Sequence, residues 1–416
     1  MISTNVTQTR AHSSGYAIVV ISLCALFLFY KYVLQIYPST ITEQLMAEFN
    51  LTGAGLGNLA ATFYYSYMLP QLCVGVILDK YSTRWLTSAA IFACATGTFF
   101  FSQTHSLLTA ELARALMGVG VAFATVAYMK VAATWFAPQR YAFISGLLAT
   151  AAMAGAVFGQ APLALAINIF GWRTSLYGLS IAGFVLAGLF LLIVQDRTSN
   201  NHTRAHSIAL KDIISVFKNK QNWLLTLYSG LAFTPVAVFG GLWGNPFLQA
   251  AFDLNKTQAA SLVSLVFIGF GLGSPILGIL SDRLGNRLQV MFYCTLISTL
   301  ALSLVLYWHS MPTWLLVVLL FTFGFALGAF MLVFALGKEL NSTSLTATVI
   351  AMINTSDGVL TGIAEPGIGK LLDLNWDGTI VNGVHIFSLS SYQLALTVLP
   401  IFLIIASLLL LWVKEK

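Results

Sequence analysis

Long apolar blocks alternate with short polar breaks along the whole chain, at about 16–38, 54–78, 83–103, 106–130, 141–168, 172–195, 222–250, 258–281, 287–308, 313–337, 345–370 and 391–413. Each block is close to or above the roughly 20 residues that carry an α-helix across a bilayer at about 1.5 Å per residue. Alternation with a period of two is absent, which argues against a membrane β-barrel. The pattern therefore predicts an all-α membrane protein of twelve transmembrane helices. Six lie on either side of the one long polar segment, 196–220, which divides the chain into 1–195 and 221–416. Within that segment Leu210, Ile213, Ile214 and Phe217 recur at helical spacing beside lysines, the pattern of a short helix lying on the membrane surface. A solvated linker with an incidental apolar stripe is an equal alternative.

Composition agrees with the pattern. Hydrophobic residues make up 58% of the 416 residues and charged residues 8%, and mean hydropathy is +0.84, which excludes a water-soluble globule. The charge is placed unevenly. With the N-terminus in the cytoplasm, fifteen cations fall in cytoplasmic segments, among them Arg10, Lys80, Arg84, Arg283, Arg287 and Lys338, and only Arg173, Lys256 and Lys370 fall outside. This positive-inside bias predicts both termini in the cytoplasm, and it makes the net charge of +6 a topology signal with no nucleic-acid partner implied. The apolar stretch after Arg10 has no small-residue cleavage site and is read as a retained span. Cys24, Cys73, Cys94 and Cys294 all lie in apolar spans, so neither a disulfide framework nor a metal cluster is expected.

One pattern occurs twice, about 200 residues apart, each time after an apolar span. Gly75-Val76-Ile77-Leu78-Asp79-Lys80-Tyr81-Ser82-Thr83-Arg84 and Gly278-Ile279-Leu280-Ser281-Asp282-Arg283-Leu284-Gly285-Asn286-Arg287 both read Gly-x-x-x-Asp-(Lys/Arg)-x-x-x-Arg. A glycine that lets helices approach, followed by a carboxylate and cations at a membrane face, can form a charge lock. The pair resembles the loop signature of the major facilitator superfamily of secondary transporters, with Ser82 standing where a turn glycine is expected. The resemblance implies two pseudo-symmetric six-helix bundles around a central cavity. It also implies gating roles for Gly75, Asp79, Arg84, Gly278, Asp282, Arg283 and Arg287.

Arg114-x-x-x-Gly118-x-Gly120 in the fourth span resembles a second signature of the same superfamily, in which the arginine serves proton coupling or holds the cavity. A guanidinium inside the membrane must find a carboxylate or carbonyls, and Glu111 is its nearest acid in sequence; a purely structural Glu111/Arg114 pair is the alternative. The fifth span, with Gly146, Gly155 and Gly159, is similar to the glycine-rich fifth helix of the family, although Gly155-Ala156 replaces the Gly-Pro pair typical of drug antiporters. Tyr37-Pro38-Ser39 and Leu242-Trp243-Gly244-Asn245-Pro246-Phe247 resemble a subgroup common in intracellular bacterial pathogens, related to phagosomal nutrient importers and more distantly to lysosomal dipeptide transporters.

Ionisable residues inside a span are costly, so each is a functional candidate. Among the fourteen acids only Glu111, Asp357 and Glu365 fall within predicted spans, and all six histidines fall in loops or at span ends, so a proton carrier would be a carboxylate. Asn354, Asp357, Thr361 and Glu365 share one helical face by their spacing. A polar stripe of this kind suits a water-filled cavity. A buried structural Asp357 and a Glu365 reaching outer headgroups are the alternatives. Lys31 and Gln35 share a face of the first span, beside Tyr30. Lys31 either answers a carboxylate of the substrate or a cavity acid, or snorkels to the surface. Tyr64 and Trp243 complete the candidate substrate contacts, and Gly240-Gly241 with Pro246 predict a break in the seventh span suited to gating.

The expected function is proton-coupled uptake of a small polar, carboxylate-bearing solute, such as an amino acid or short peptide, by alternating access. A monomer in the lipid bilayer is expected, driven by the proton gradient with no cofactor or metal. A carrier of organic anions or carboxylate siderophores in either direction is the nearest alternative, followed by a drug or metabolite antiporter. No phosphate-binding Gly-x-x-x-x-Gly-Lys-(Ser/Thr) loop is present, so direct ATP drive is not expected. An enzyme would need a nucleophile–base pair or metal ligands within the spans. A non-transporting receptor would fail every flux assay.

Overall fold

The computed structural model describes residues 14–136, 138–196, 215–342, 345–381 and 383–414. In chain order these form α1 (Ser14–Ile36), a 3-10 turn (Tyr37–Thr40), α2 (Thr42–Phe49), α3 (Gly53–Lys80), α4 (Thr83–Gln103), α5 (Leu107–Trp135), α6 (Pro138–Phe158), α7 (Ala161–Phe170) and α8 (Trp172–Ile193). After 197–214, which lie outside the described residues together with most of the expected surface helix, come α9 (Lys220–Val238), a π-helical turn (Phe239–Trp243) and α10 (Gly244–Phe252). Then follow α11 (Lys256–Leu284), α12 (Arg287–Tyr307), α13 (Thr313–Leu327), a 3-10 turn (Gly328–Met331), α14 (Leu332–Glu339) and α15 (Thr346–Leu374). A two-stranded hairpin, β1 (Ile380–Val381) and β2 (Val384–His385), precedes α16 (Leu389–Leu396) and α17 (Val398–Leu410).

Among the described residues, ten helical segments are long and apolar enough to cross a membrane. α3 and α15, the helices carrying the tyrosines and the polar stripe, are 28 and 29 residues long. These two helices share the most extensive helix–helix contact in the molecule. Tyr65 and Tyr67 of α3 meet Gly362 and Asn354 of α15, while Asp357 and Thr361 of α15 turn to α9, so the polar side chains of both helices find partners inside the protein. Around them α4 packs on α5 and α8, and α1 on α5 and α6, while α11 packs on α13 and α9 on α15 and α17. Large apolar side chains such as Leu26, Phe92, Val185, Leu300 and Leu408 are exposed on the outside. Exposed aromatics gather at both ends, Tyr81, Trp85, Trp223 and Trp412 at one and Tyr307, Trp308 and Trp314 at the other, the placement expected at two membrane interfaces.

Three expectations are corrected here. The fifth span is two helices, because Gln160 (φ −102°, ψ −107°) leaves the helical region and Pro162 restarts the chain as α7. The chain is also not wholly helical. Asn382-Gly383 between two apolar pairs is a hairpin signal, and Gly383 takes a positive φ (78°) with Val381 opposite Val384. Finally, Gly75 and Gly278 do not mediate a close helix approach in this state, since a Cβ added at either would meet open space. The opposite end is where glycines are needed. A Cβ on Gly57 would lie 2.5 Å from the Glu365 carbonyl oxygen, and one on Gly53 would lie 2.7 Å from that of Gly369.

The molecule is thus closed at the end remote from the repeated loops. There Asp373 of α15 accepts the backbone N–H groups of Gly53 (2.7 Å) and Ala54 (2.9 Å), and the Thr52 side chain accepts that of Gly55 (3.2 Å). Three free donors of the α3 N-terminus are satisfied, two of them by the other half of the chain. Lys256 and Glu43 pair at 2.7 Å across the same junction, and Asn168 donates to Thr257 at 2.8 Å.

Candidate functional site

The polar residues of α1, α3, α9 and α15 converge midway along the molecule. Lys31 is only 5% exposed; its Nζ donates to the Tyr67 hydroxyl at 3.4 Å and lies over the Tyr67 and Tyr32 rings at 4.5 and 5.4 Å. It does not snorkel, and among the described residues it forms no ion pair with an acid. Asn354 of α15 also donates to Tyr67 (3.5 Å), which joins the Lys31 face to the α15 stripe. Tyr32, Tyr67 and Asn354 are half-buried, so the cluster opens on that side. Asp357, one turn on, accepts Ser229 of α9 at 2.6 Å through Oδ1, and Thr361 lies 3.5 Å from Thr234. Gln35 donates to the Tyr64 hydroxyl at 3.2 Å.

The deep end holds Glu365 and Arg114. Glu365 is 2% exposed and its Oε2 is buried without a hydrogen-bond partner. Arg114 lies close enough to interact with it electrostatically, as Tyr64 does with both. The arginine is held by carbonyls: Nη1 donates to Leu34 at 2.8 Å and Nη2 to Ala60 at 3.0 Å, with its plane over the Tyr37 and Phe63 rings. Leu34 is available because Pro38, four residues on, has no N–H to give it. The same logic applies on α15, where Pro366 frees the Gly362 carbonyl and the Tyr65 hydroxyl takes it at 2.7 Å.

The structure therefore brings together Lys31, Gln35, Tyr64, Asn354, Asp357, Glu365 and Arg114. It does not bring in Tyr30, whose hydroxyl lies 3.3 Å from Thr98 and whose ring packs on Gly183, because consecutive helical residues point about 100° apart. Glu111 is half-buried and makes no ion pair with Arg114 among the described residues. Trp243 is fully buried, with its indole N–H on the Glu365 carbonyl oxygen at 3.2 Å, so it sits in the closed junction and not on the open side of the cluster. The sequence reading missed Ser229, which a small polar residue in α9 did not announce, and Gln160, whose amide lies at the fifth-span break.

At the other end the second loop is ordered around Arg287. Its guanidinium meets Asp282 at 3.0 Å and Glu339 of α14 at 3.0 Å, at the edge of a cavity of about 390 Å³, and Gly285 adopts φ 64° before Asn286 caps α12. In the first loop Ser82 itself caps α4, and Arg84 donates to the Leu191 carbonyl at 2.5 Å. Arg283 is exposed, and the side chain of Asp79 lies outside the described residues. Asp282→Asn is expected to shift the population toward the state open at this end. An exposed ion pair is worth up to about 1 kcal/mol, so cysteine labelling inside that opening should rise by up to about fivefold; unchanged labelling would remove the lock assignment.

A profile of the Major Facilitator Superfamily matches residues 19–243 and 225–416. The chain belongs to that superfamily. Its relatives include a probable L-galactonate transporter of Escherichia coli (strain K12), 23% identical over 60% of this chain and 57% of that one. The lysosomal dipeptide transporter MFSD1 of Mus musculus is 25% identical over 71% of this chain and 68% of its own. Both are transporters, not enzymes. The chain spans 35%, 57% and 60% of the length of three of the curated relatives it matches. A solved structure of a bacterial homologue of the human lysosomal transporter Spinster, in an inward-facing and occupied conformation, superposes with a TM-score of 0.80 at 16% identity and covers 97% of each chain. At that identity the likeness shows the fold alone.

Proposed function

We propose that this superfamily member is a proton-coupled secondary active transporter that imports a small carboxylate-bearing solute, such as an amino acid or short peptide, by alternating access. In this reading twelve transmembrane helices form two pseudo-symmetric six-helix bundles, 1–195 and 221–416, joined by 196–220. The protein is a monomer in a bacterial inner membrane with both termini in the cytoplasm, and it draws on the proton gradient with no cofactor.

The observation that carries the reading is Lys31. A buried ammonium whose partners are a hydroxyl and two rings leaves its charge to be answered by a ligand, and it stands on the open side of a cluster that also holds two buried acids. A carboxylate can meet the first and a transferable proton can occupy the second. A thermal-shift screen of the purified protein against amino acids, dipeptides, nucleosides and sugar acids tests it. A ligand present at about 100 times its Kd stabilises the folded state by roughly 2.7 kcal/mol. Stabilisation by nucleosides alone would reject the carboxylate reading. The L-galactonate relative favours a second reading, carriage of larger organic anions, which stabilisation by sugar acids alone would select.

A further inference from the structure

Three interruptions of helix geometry meet at one point beyond the polar cluster: the 3-10 turn after α1, the break between α6 and α7, and the π-helical turn between α9 and α10. Ser39 lies in the first, Gln160 at the second, and Asn245 is the second residue of α10, directly after the third. Gln160 donates through Nε2 to the Ser39 hydroxyl (2.9 Å) and to the Gly240 carbonyl (2.6 Å), and Asn245 donates through Nδ2 to Gln160 Oε1 (2.8 Å) and to the Ser39 carbonyl (3.0 Å). Ser39 in turn donates to Ile36 at 2.9 Å. All three side chains are at most 1% exposed. The two sequence patterns that set this chain apart, Tyr37-Pro38-Ser39 and Leu242 to Phe247, are therefore in contact, and Gln160 is the residue that ties both to a third helix.

We infer that Gln160, Ser39 and Asn245 form a neutral latch that holds the outer side of the transporter closed, with Gln160 as its positioning residue. This rests on the alternating-access reading and adds how the closed state is held. Of the other cross-junction contacts at this end, Lys256 with Glu43 and Asn168 with Thr257 are exposed, where water and salt compete with them, and the Asp373 bonds to Gly53 and Ala54 are part-buried. The latch is buried, so each bond broken leaves a buried donor or acceptor unpaired unless water enters. Opening therefore requires wetting of this point. One acceptor is already unpaired, since Asn245 Oδ1 is buried without a partner; that cost weakens the closed state and keeps it able to open. Broken helices are the means, because an unbroken helix would have used the Gly240 carbonyl within its own ladder and offered no flexible joint.

The test uses the full chain in liposomes with Gly241→Cys as reporter and Cys73→Ser to remove the exposed native thiol. A Cβ at Gly241 would make ordinary contacts, 3.6 Å from Ile36 and 3.9 Å from the Tyr64 hydroxyl, just inside the latch. Gln160→Met keeps length and removes all three side-chain bonds of Gln160, leaving Asn245 on Ser39. It is expected to raise labelling by a membrane-impermeant maleimide from outside by roughly tenfold. Ser39→Ala should raise it too, and the double variant should add little to Gln160→Met. High salt should leave the parent protein unchanged. Labelling of folded Gln160→Met at the parent rate, or parent labelling that rises with salt to the variant's level, would overturn the latch. Hydrogen exchange on the unmutated protein is an independent check: the amides of Ile41 and Ala164, bonded to Pro38 and Gln160 carbonyls, should exchange as one opening unit, and unrelated rates would contradict it. Neither readout needs a substrate, so absence of flux for every solute would sink the transport reading without touching this result.

Discussion

Replacing Glu365 by Gln is expected to abolish uphill accumulation driven by a pH gradient while leaving exchange of solute between the two sides. With one proton per solute, a gradient of about one pH unit supports about tenfold accumulation, and the variant should equilibrate at no accumulation. The amide keeps the shape of the side chain and loses the proton site. The position matters for a second reason: the Glu365 backbone is where the closed junction is made, with Trp243 on its carbonyl and Gly57 packed against it. A change of charge there acts on a residue that both halves touch. Asp357→Asn is expected to have the same sign, since Ser229 occupies only one of its oxygens. Intact pH-driven accumulation in both variants would move the coupling to Glu111 or to a proton-independent mechanism. The assay is solute uptake into liposomes, with counterflow as the exchange control.

Lys31→Ala is expected to weaken binding of a carboxylate solute by about 10- to 100-fold, the range of a hydrogen bond to a charged group worth about 1.5–3 kcal/mol. The amide analogue of the same solute should change by less than about threefold, because it never used the charge. An ammonium left in the membrane interior costs a few kcal/mol on insertion scales, and the Tyr32 and Tyr67 rings offset part of that without neutralising it. Parallel loss of both affinities, measured by titration calorimetry, would make Lys31 a structural residue and remove the main support for carboxylate solutes.

Much of this was readable before the structure. The length of the apolar blocks located the spans, including those that became α3 and α15. The spacing of Asn354, Asp357, Thr361 and Glu365 placed them on one face, and Gly240-Gly241 with Pro246 marked the π-helical turn. What stayed hidden depends on who the neighbours are. Arg114 takes carbonyls in place of Glu111 because Pro38 leaves the carbonyl of Leu34, 80 residues before the arginine, without its helical partner. Tyr30 turns away from Lys31 although they are adjacent, since helix rotation separates neighbours. Asp373 caps a helix that begins 320 residues before it, and no local pattern announces such a pair. Gln160 lay inside an apolar block that hydropathy averages into one span.

The central claim is solute movement coupled to protons through this cluster. It is tested most directly by uptake of the carboxylate ligand found in the stability screen, into liposomes holding the purified protein, under an imposed gradient acidic outside. Accumulation above the external concentration that collapses when a protonophore is added is the predicted result. Binding without flux, or flux that never exceeds equilibrium and ignores the gradient, would contradict it.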